Sequence, residues 1–370
     1  MTNINKERLK SIFERLLNAN GVSGNESETI KVVLDIVKDI PVFVKDYASI
    51  DSKKRNLFLK LENRGDVKSP SILLSSHVDT VEPTEKISFT LVDGKYTTDG
   101  KTILGSDDKA GVAAIIECLL SVHESNKPHT EIQVAFTVEE EVGLVGASNF
   151  DTSLITSRRG IVIDSDGKPG TIMYAGPSQY LFDIDITGKA AHAGMAPEDG
   201  KSAILFASQC ISKIPFGRID HETTTNVGTI KGGKASNIVA EKCHVDGEIR
   251  SHNNVKISLI NEQIKNIFLE GNKTGFKVDY KSIEKYSAFK LDTKTEFMNL
   301  LTSQIKELNL DVQFKVCGGG CDANIFNKKI KNMECVNLAC GMTDVHTHKE
   351  SIYLSDIEKV TELITSICTK

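Results

Sequence analysis

Ser71-Ile72-Leu73-Leu74-Ser75-Ser76 runs straight into His77-Val78-Asp79. The first six residues are a short apolar run of the kind that forms a buried strand, and it ends in two side chains with metal-ligand chemistry. The pattern recurs twice. Residues 131–138 are rich in β-formers and run into Glu139-Glu140-Glu141, while Gly160-Ile161-Val162-Ile163 runs into Asp164-Ser165-Asp166. A fourth cluster, Gly105-Ser106-Asp107-Asp108-Lys109, opens an apolar helix expected over residues 110–122. In open α/β sheets the ligand site lies outside the carboxyl ends of the strands, so clusters on such ends can converge.

Working outward, Leu9, Ile12, Phe13, Leu16 and Leu17 keep helical spacing, and Ile30, Val33, Leu34 and Val37 continue it beyond a break at 18–24. Strand-helix alternation then predicts an α/β domain, a mixed sheet with helices on both faces. After about residue 177 the pattern changes. Residues 180–186 alternate with period two. A helix at 201–214, strands at 224–230 and 244–250, a helix at 257–270 and a strand at 276–280 complete a β-α-β-β-α-β order. That is the order of a ferredoxin-like α+β module. The expected division is residues 1–177 with 288–370 as the catalytic domain, and 178–287 as the insertion.

Composition excludes several classes. The chain has 370 residues, 39% of them apolar, which suits two globular cores, and 45 basic against 50 acidic residues give a net charge of −5. Neither a basic stripe for nucleic acid nor a span of ~20 uncharged apolar residues is present. The N-terminus has no apolar leader, so a cytoplasmic protein is expected. The eight cysteines form no CxxC pair and are expected as reduced thiols; Cys317 and Cys321 read as small residues in a glycine-rich loop. Residues 94–102 look like a P-loop, but five residues separate Gly94 and Gly100, and no helix follows.

Each acidic cluster has an ordinary reading when taken alone: Asp107 and Asp108 as helix-capping carboxylates, Glu139–Glu141 as a solvated loop, His77 and Asp79 as a chance pair. Their joint occurrence decides otherwise. Several carboxylates gathered in one crevice cost energy unless cations neutralise them. Neutral imidazole suits Zn²⁺, carboxylates can bridge two ions about 3.5–4 Å apart, and Asp79 can hold the second N–H of His77. A further cluster, His346-Thr347-His348-Lys349-Glu350, lies near the C-terminus.

Taken together, Leu104-Gly105-Ser106-Asp107-Asp108-Lys109-Ala110-Gly111 and Thr137-Val138-Glu139-Glu140-Glu141-Val142-Gly143 resemble the co-catalytic zinc family of peptidase T, glutamate carboxypeptidase, aminoacylase and succinyl-diaminopimelate desuccinylase, closest to its peptidase T-like branch. The resemblance runs through nearly the whole chain. It implies His77, Asp107, Glu141, Asp166 and His346 as ligands of two Zn²⁺ per subunit, with Co²⁺ or Mn²⁺ as alternatives. Asp107 would bridge the ions and precede a cis peptide, Asp79 would orient His77, and Glu140 would be the general base. Asp164 competes with Asp166, and His348 with His346. In the insertion, Gly188-Lys189-Ala190-Ala191-His192-Ala193-Gly194 matches a segment whose histidine polarises the scissile carbonyl. Asn237, Arg250, Gly319 and Gly320 match positions that meet substrate, although Cys321 stands where the branch commonly has serine. The insertion is expected to act as lid and to form a homodimer.

The expected activity is hydrolysis of short peptides by a water held between two zinc ions, most simply as an aminopeptidase on tripeptides. Relatives with the same metal site act as carboxypeptidases or N-acyl-amino-acid amidohydrolases, and the metal ligands alone do not separate these. A metal-binding protein without activity is the rival from another class.

Overall fold

The computed structural model describes residues 3–48, 55–67, 69–84 and 87–370. The chain forms two compact units, Met1–Gly176 with Lys290–Lys370, and Pro177–Phe289.

The first unit starts with α1 (Lys6–Asn18), capped by Asn5, whose side chain accepts from the Arg8 N–H. Its stripe of Leu9, Ile12, Phe13, Leu16 and Leu17 is buried, as is most of the apolar face of α2 (Ser27–Val37). The strands that follow are β1 (Phe43–Ala48), β2 (Arg55–Leu61), β3 (Ile72–His77), β4 (Phe89–Val92) and β5 (Lys95–Thr98). Next come α3 (Ser106–Glu124), β6 (Ile132–Thr137), the single turn α4 (Val145–Ser148), β7 (Arg159–Asp166) and β8 (Thr171–Gly176).

The second unit contains β9 (Ser178–Thr187), α5 (Ala203–Ile211), β10 (Gly217–Asp220), β11 (Thr223–Gly232), β12 (Lys242–Ser251), α6 (Asn254–Leu269) and β13 (Lys277–Tyr286). The chain ends with β14 (Phe289–Lys290), α7 (Glu296–Glu307), β15 (Gln313–Val316), α8 (Asp322–Lys329), β16 (Glu334–Met342), β17 (Ile352–Tyr353) and α9 (Leu354–Cys368).

Among the described residues the main sheet runs β1-β2-β6-β3-β7-β16-β8-β14, with β15 paired to β8. It is mixed: β6, β3, β7 and β16 are parallel neighbours, whereas β1, β2 and β8 enter antiparallel. Every residue of β3 and β6 is buried, which is why both read as unbroken apolar runs rather than alternating ones. The chain leaves β3, returns as β6 on one side and then places β7 on the other. That makes β3 a topological switch point, and the carboxyl ends of all three strands open on the same edge.

α3 lies under this edge and is buried from Ser106 to Val122, packed against β3, α1 and α9. Such enclosure demands small and apolar residues all round. Gly111 sits so close to β7 that an added Cβ would lie 2.3 Å from the Ile163 carbonyl oxygen. Deeper in the helix, the buried Glu117 is matched by Arg8 at 2.7 Å, Ser121 at 2.6 Å and the Asn5 N–H at 2.8 Å. α8 packs on the opposite face, against β7 and β16.

The P-loop look-alike is part of a hairpin. β4 and β5 pair antiparallel through Asp93 and Gly94, both at positive φ, and β17 joins them. In the second unit the sheet order is β10-β11-β12-β9-β13. Without the short β10 this is the ferredoxin-like arrangement. Phe182, Ile184 and Ile186 turn one face of β9 towards α5 and α6, as the period-two pattern requires. Cys317 is half-buried, and the other seven cysteines are buried and form no disulfide. No helix among the described residues is long and apolar enough to cross a membrane.

Candidate metal centre

His77 is the last residue of β3. Its Nδ1 lies 2.9 Å from the Asp79 carbonyl oxygen and 3.3 Å from Asp79 Oδ1, so the ring donates from Nδ1 and turns Nε2 into the crevice. There Nε2 faces Asp107 Oδ1 at 3.1 Å and Asp164 Oδ1 at 3.6 Å. The other oxygen of Asp107, Oδ2, is 3.1 Å from His346 Nε2, which is 2.9 Å from Glu141 Oε1. Two ligand sets result: His77, Asp107 and Asp164, and Asp107, Glu141 and His346. Asp107 belongs to both and presents one oxygen to each.

The local chain explains how these groups are presented. Asp107 has extended backbone angles at the start of α3, and the Asp107-Asp108 peptide is cis. Asp108 turns away from the sets, accepting from Ser76 Oγ at 2.5 Å and from the Gly111 N–H at 3.2 Å. Lys109 is buried and donates to the Ala19 carbonyl at 2.7 Å. Glu139 and His346 both adopt positive φ, which turns the chain sharply at the end of β6 and in the loop after β16.

The electrostatics ask for cations. Burial pushes the carboxyl groups of Glu140 and Glu141 up, and that of Asp164 to about 7, with neighbouring carboxylates adding to the effect. Burial also disfavours a charged His77, but contacts with Asp107, Asp164 and Asp79 outweigh it and raise its pKa well above the usual value. Asp107 and Glu141 lift His346 to about 10. Carboxylates that hold two histidines in their protonated form are short of positive charge, and each set offers the imidazole nitrogen and carboxylate oxygens that suit a divalent ion of zinc type. The donor sets fit a metal pair.

The structure brings His77, Asp107, Glu141 and His346 together. Asp166 is outside both sets and exposed, and Asp164 takes the place expected for it. The register supplies the reason. Ser75 of β3 pairs with Val162 of β7, so two residues on His77 meets Asp164, while Asp166 lies a further two residues along, about 6.6 Å. His348 is exposed and in neither set. Glu140 is buried beside the ligands but belongs to neither set, and its N–H donates to Asp79 Oδ1 at 2.9 Å.

In the second unit, His192 is exposed and its Nδ1 accepts from the N–H groups of Gly194 and Met195, both at 3.2 Å, which leaves the proton on Nε2. Asn237 is exposed, and its carbonyl accepts from the Ala193 N–H. The Arg250 guanidinium is held by both oxygens of Glu248 on its own strand, each at 3.1 Å. Gly319 and Gly320 lie in the turn before α8, where Cys321 donates its N–H to the Asn324 side chain instead of offering a hydroxyl.

Two features of the site escaped the sequence. Glu350 receives hydrogen bonds from residues 104–107, some 240 positions away. Ser23 donates to Asp79 Oδ2 at 2.7 Å, and Glu26 Oε1 accepts from the Glu139 N–H at 3.2 Å, so the loop between α1 and α2 supports the centre. Glu26 stands in the polar run Asn25-Glu26-Ser27-Glu28 at the start of α2, so its sequence surroundings do not mark it out.

A mixed α/β sheet that gathers two ligand sets sharing one carboxylate at its switch point, with a glutamate beside them, has the build of a metal-dependent hydrolase. The chain belongs to peptidase family M20/M25/M40, whose family model matches residues 73–370. The aminopeptidase PepT of Bacillus cereus is 36% identical and superposes with a TM-score of 0.91, over 99% of this chain and 98% of that one. A tripeptidase of Staphylococcus aureus is 31% identical with a TM-score of 0.93, again over 99% and 98%. The uncharacterized protein YqjE of Bacillus subtilis is 35% identical across 368 residues, 98% of each chain. The chain is a peptidase T-like peptidase of that family.

Proposed function

We propose that the chain is a two-metal aminopeptidase that releases the N-terminal residue of short peptides, tripeptides foremost, with Zn²⁺ as the metal and Co²⁺ or Mn²⁺ as substitutes. The observation that carries this reading is Asp107, whose two oxygens each face a different histidine at 3.1 Å. His77, Asp107 and Asp164 would hold one ion, and Asp107, Glu141 and His346 the other. When bound, the ions supply Lewis acidity towards the attacking water and the scissile carbonyl.

The chain's own groups do the proton work. Glu140, outside both sets, takes a proton from the water and returns it to the leaving amine. Asp79 keeps His77 in the tautomer that presents Nε2. His192, with its proton fixed on Nε2, has the chemistry of a donor to a carbonyl oxygen as negative charge develops there. The second unit is assigned the roles of lid and homodimer contact, and Asn237, Arg250, Gly319 and Gly320 those of substrate contacts.

The tripeptide preference draws on the similarity to the Staphylococcus aureus tripeptidase, and release of the N-terminal residue on the similarity to the Bacillus cereus aminopeptidase. A metal-supplemented assay on di- and tripeptides beside N-acetyl amino acids, with products identified by mass spectrometry, tests it. Release of the N-terminal residue, dependent on added metal, is the expected result. Release of the C-terminal residue, or cleavage of the acyl compounds alone, would replace the aminopeptidase reading.

A further inference from the structure

We infer that Glu350 is a positioning residue that locks the loop bearing Asp107 to the loop bearing His346 and thereby sets the second ligand set. This rests on the two-metal reading above. Glu350 is 1% exposed, and its carboxylate is filled by four donors. Oε2 accepts from the N–H groups of Leu104 and Gly105, both at 2.9 Å. Oε1 accepts from Ser106 Oγ at 2.6 Å and from the N–H of Asp107 itself at 3.1 Å. A carboxylate offers about four lone-pair sites, so this one is saturated.

The same residue closes the loop that carries His346. Its N–H donates to the Thr347 carbonyl at 3.1 Å, and the adjacent Ser351 exchanges two backbone hydrogen bonds, each 3.0 Å, with Thr343. Glu350 is thus the point where a loop pinned at its base reaches across and fixes the backbone delivering the bridging carboxylate. The two sets differ in their dependence on it. His77 and Asp164 stand on β3 and β7, held by strand pairing. His346 and Glu141 stand on loops, and the meeting of His346 with Asp107 depends on how those loops are joined. Partners of metal ligands typically govern affinity by 10–100-fold.

The test is titration of the metal-free full chain with Zn²⁺, and with Co²⁺ followed by visible absorption, for wild type, Glu350→Gln and Ser106→Ala. Glutamine keeps the shape and one acceptor but sets its NH₂ group against the Asp107 N–H or against those of Leu104 and Gly105. The wild type is expected to take two equivalents. Glu350→Gln is expected to keep the first and bind the second about 10–100-fold more weakly, with an altered Co²⁺ spectrum for that equivalent. Ser106→Ala, which removes one donor without disturbing Glu350, should shift the second equivalent in the same direction by less. Two unchanged equivalents in both variants overturn the assignment while leaving the two-metal reading intact. Equal weakening of both equivalents also overturns it. A wild type that takes only one overturns the two-metal reading and this assignment with it.

Discussion

Asp79 Oδ1 accepts a hydrogen bond from the N–H of Glu140 at 2.9 Å while standing 3.3 Å from Nδ1 of His77. Oδ2 of the same carboxylate accepts from the Glu141 N–H at 3.3 Å and from Ser23. One buried side chain therefore orients His77 of the first set and also fixes the turn that carries Glu140, the proposed general base, and Glu141 of the second set. Replacing Asp79 by alanine should weaken metal binding by about 10–100-fold and lower turnover beyond what added metal restores. Full recovery of kcat in excess Zn²⁺ would reduce Asp79 to an orienter of His77 alone.

Glu140 lies in neither ligand set, so Glu140→Gln should leave metal content unchanged and cost about 10²–10⁴-fold in kcat. The pairing of metal analysis with kinetics is essential. Near-normal turnover would remove the base assignment, and loss of metal would make Glu140 a ligand.

Strand register separates Asp164 from Asp166. Asp164→Asn should reduce affinity for one equivalent of metal and most of the activity, whereas Asp166→Asn, at an exposed position, should change both by less than about twofold. The opposite ranking in equilibrium dialysis would restore Asp166 as the ligand.

Burial, with Asp79 adding, pushes the Glu26 carboxyl up to about 7. Between its ordinary value and 7 the folded chain therefore binds more protons at this site than the unfolded chain does. The resulting stabilisation is present at low pH and lost as pH rises through about 7. Glu26→Gln is neutral throughout. Its oxygen can keep the Gly24 and Glu139 N–H bonds, and its NH₂ replaces an oxygen that has no hydrogen-bond partner. The melting temperature of the variant relative to wild type should rise between pH 5 and pH 8, reflecting a change on the order of a few kcal/mol. A pH-independent difference would show that Glu26 does not titrate in this range.

At Gly111 an added Cβ would meet the Ile163 carbonyl oxygen at 2.3 Å and both Asp108 oxygens below 3 Å. Gly111→Ala should therefore cost about 1–3 kcal/mol by overpacking and lower the denaturation midpoint. A midpoint equal to wild type would mean that α3 can move away from β7 without cost.

The strands that end in the centre were legible because β3, β6 and β7 are buried on both faces and show as bounded apolar runs. The second unit was legible because its β9 has one face in a core and therefore alternates. His77, Asp107 and Glu141 were readable from local motifs. The distinction between Asp164 and Asp166 was not, because residues two apart on a strand share a face and only the pairing with β3 sets their depth. The hairpin of β4 and β5 did leave a signal, the two-residue Asp93-Gly94 turn after the alternating Phe89-Thr90-Leu91-Val92, although β5 itself is polar and short. Long-range carboxylate contacts such as Glu350 with Leu104 leave no trace in spacing at all, since they depend on how two distant loops are folded together.

The cysteines give the fold a practical property. Burial pushes the thiols of Cys210, Cys243, Cys321, Cys335 and Cys340 upward, keeping them protonated at neutral pH and slow as nucleophiles. Cys317, half-buried and next to the Gly318–Gly320 turn, is the thiol within reach of a reagent. A single-site probe can thus be attached to the unaltered chain beside the glycine loop, giving a spectroscopic handle on that loop with the other seven sulfurs left silent.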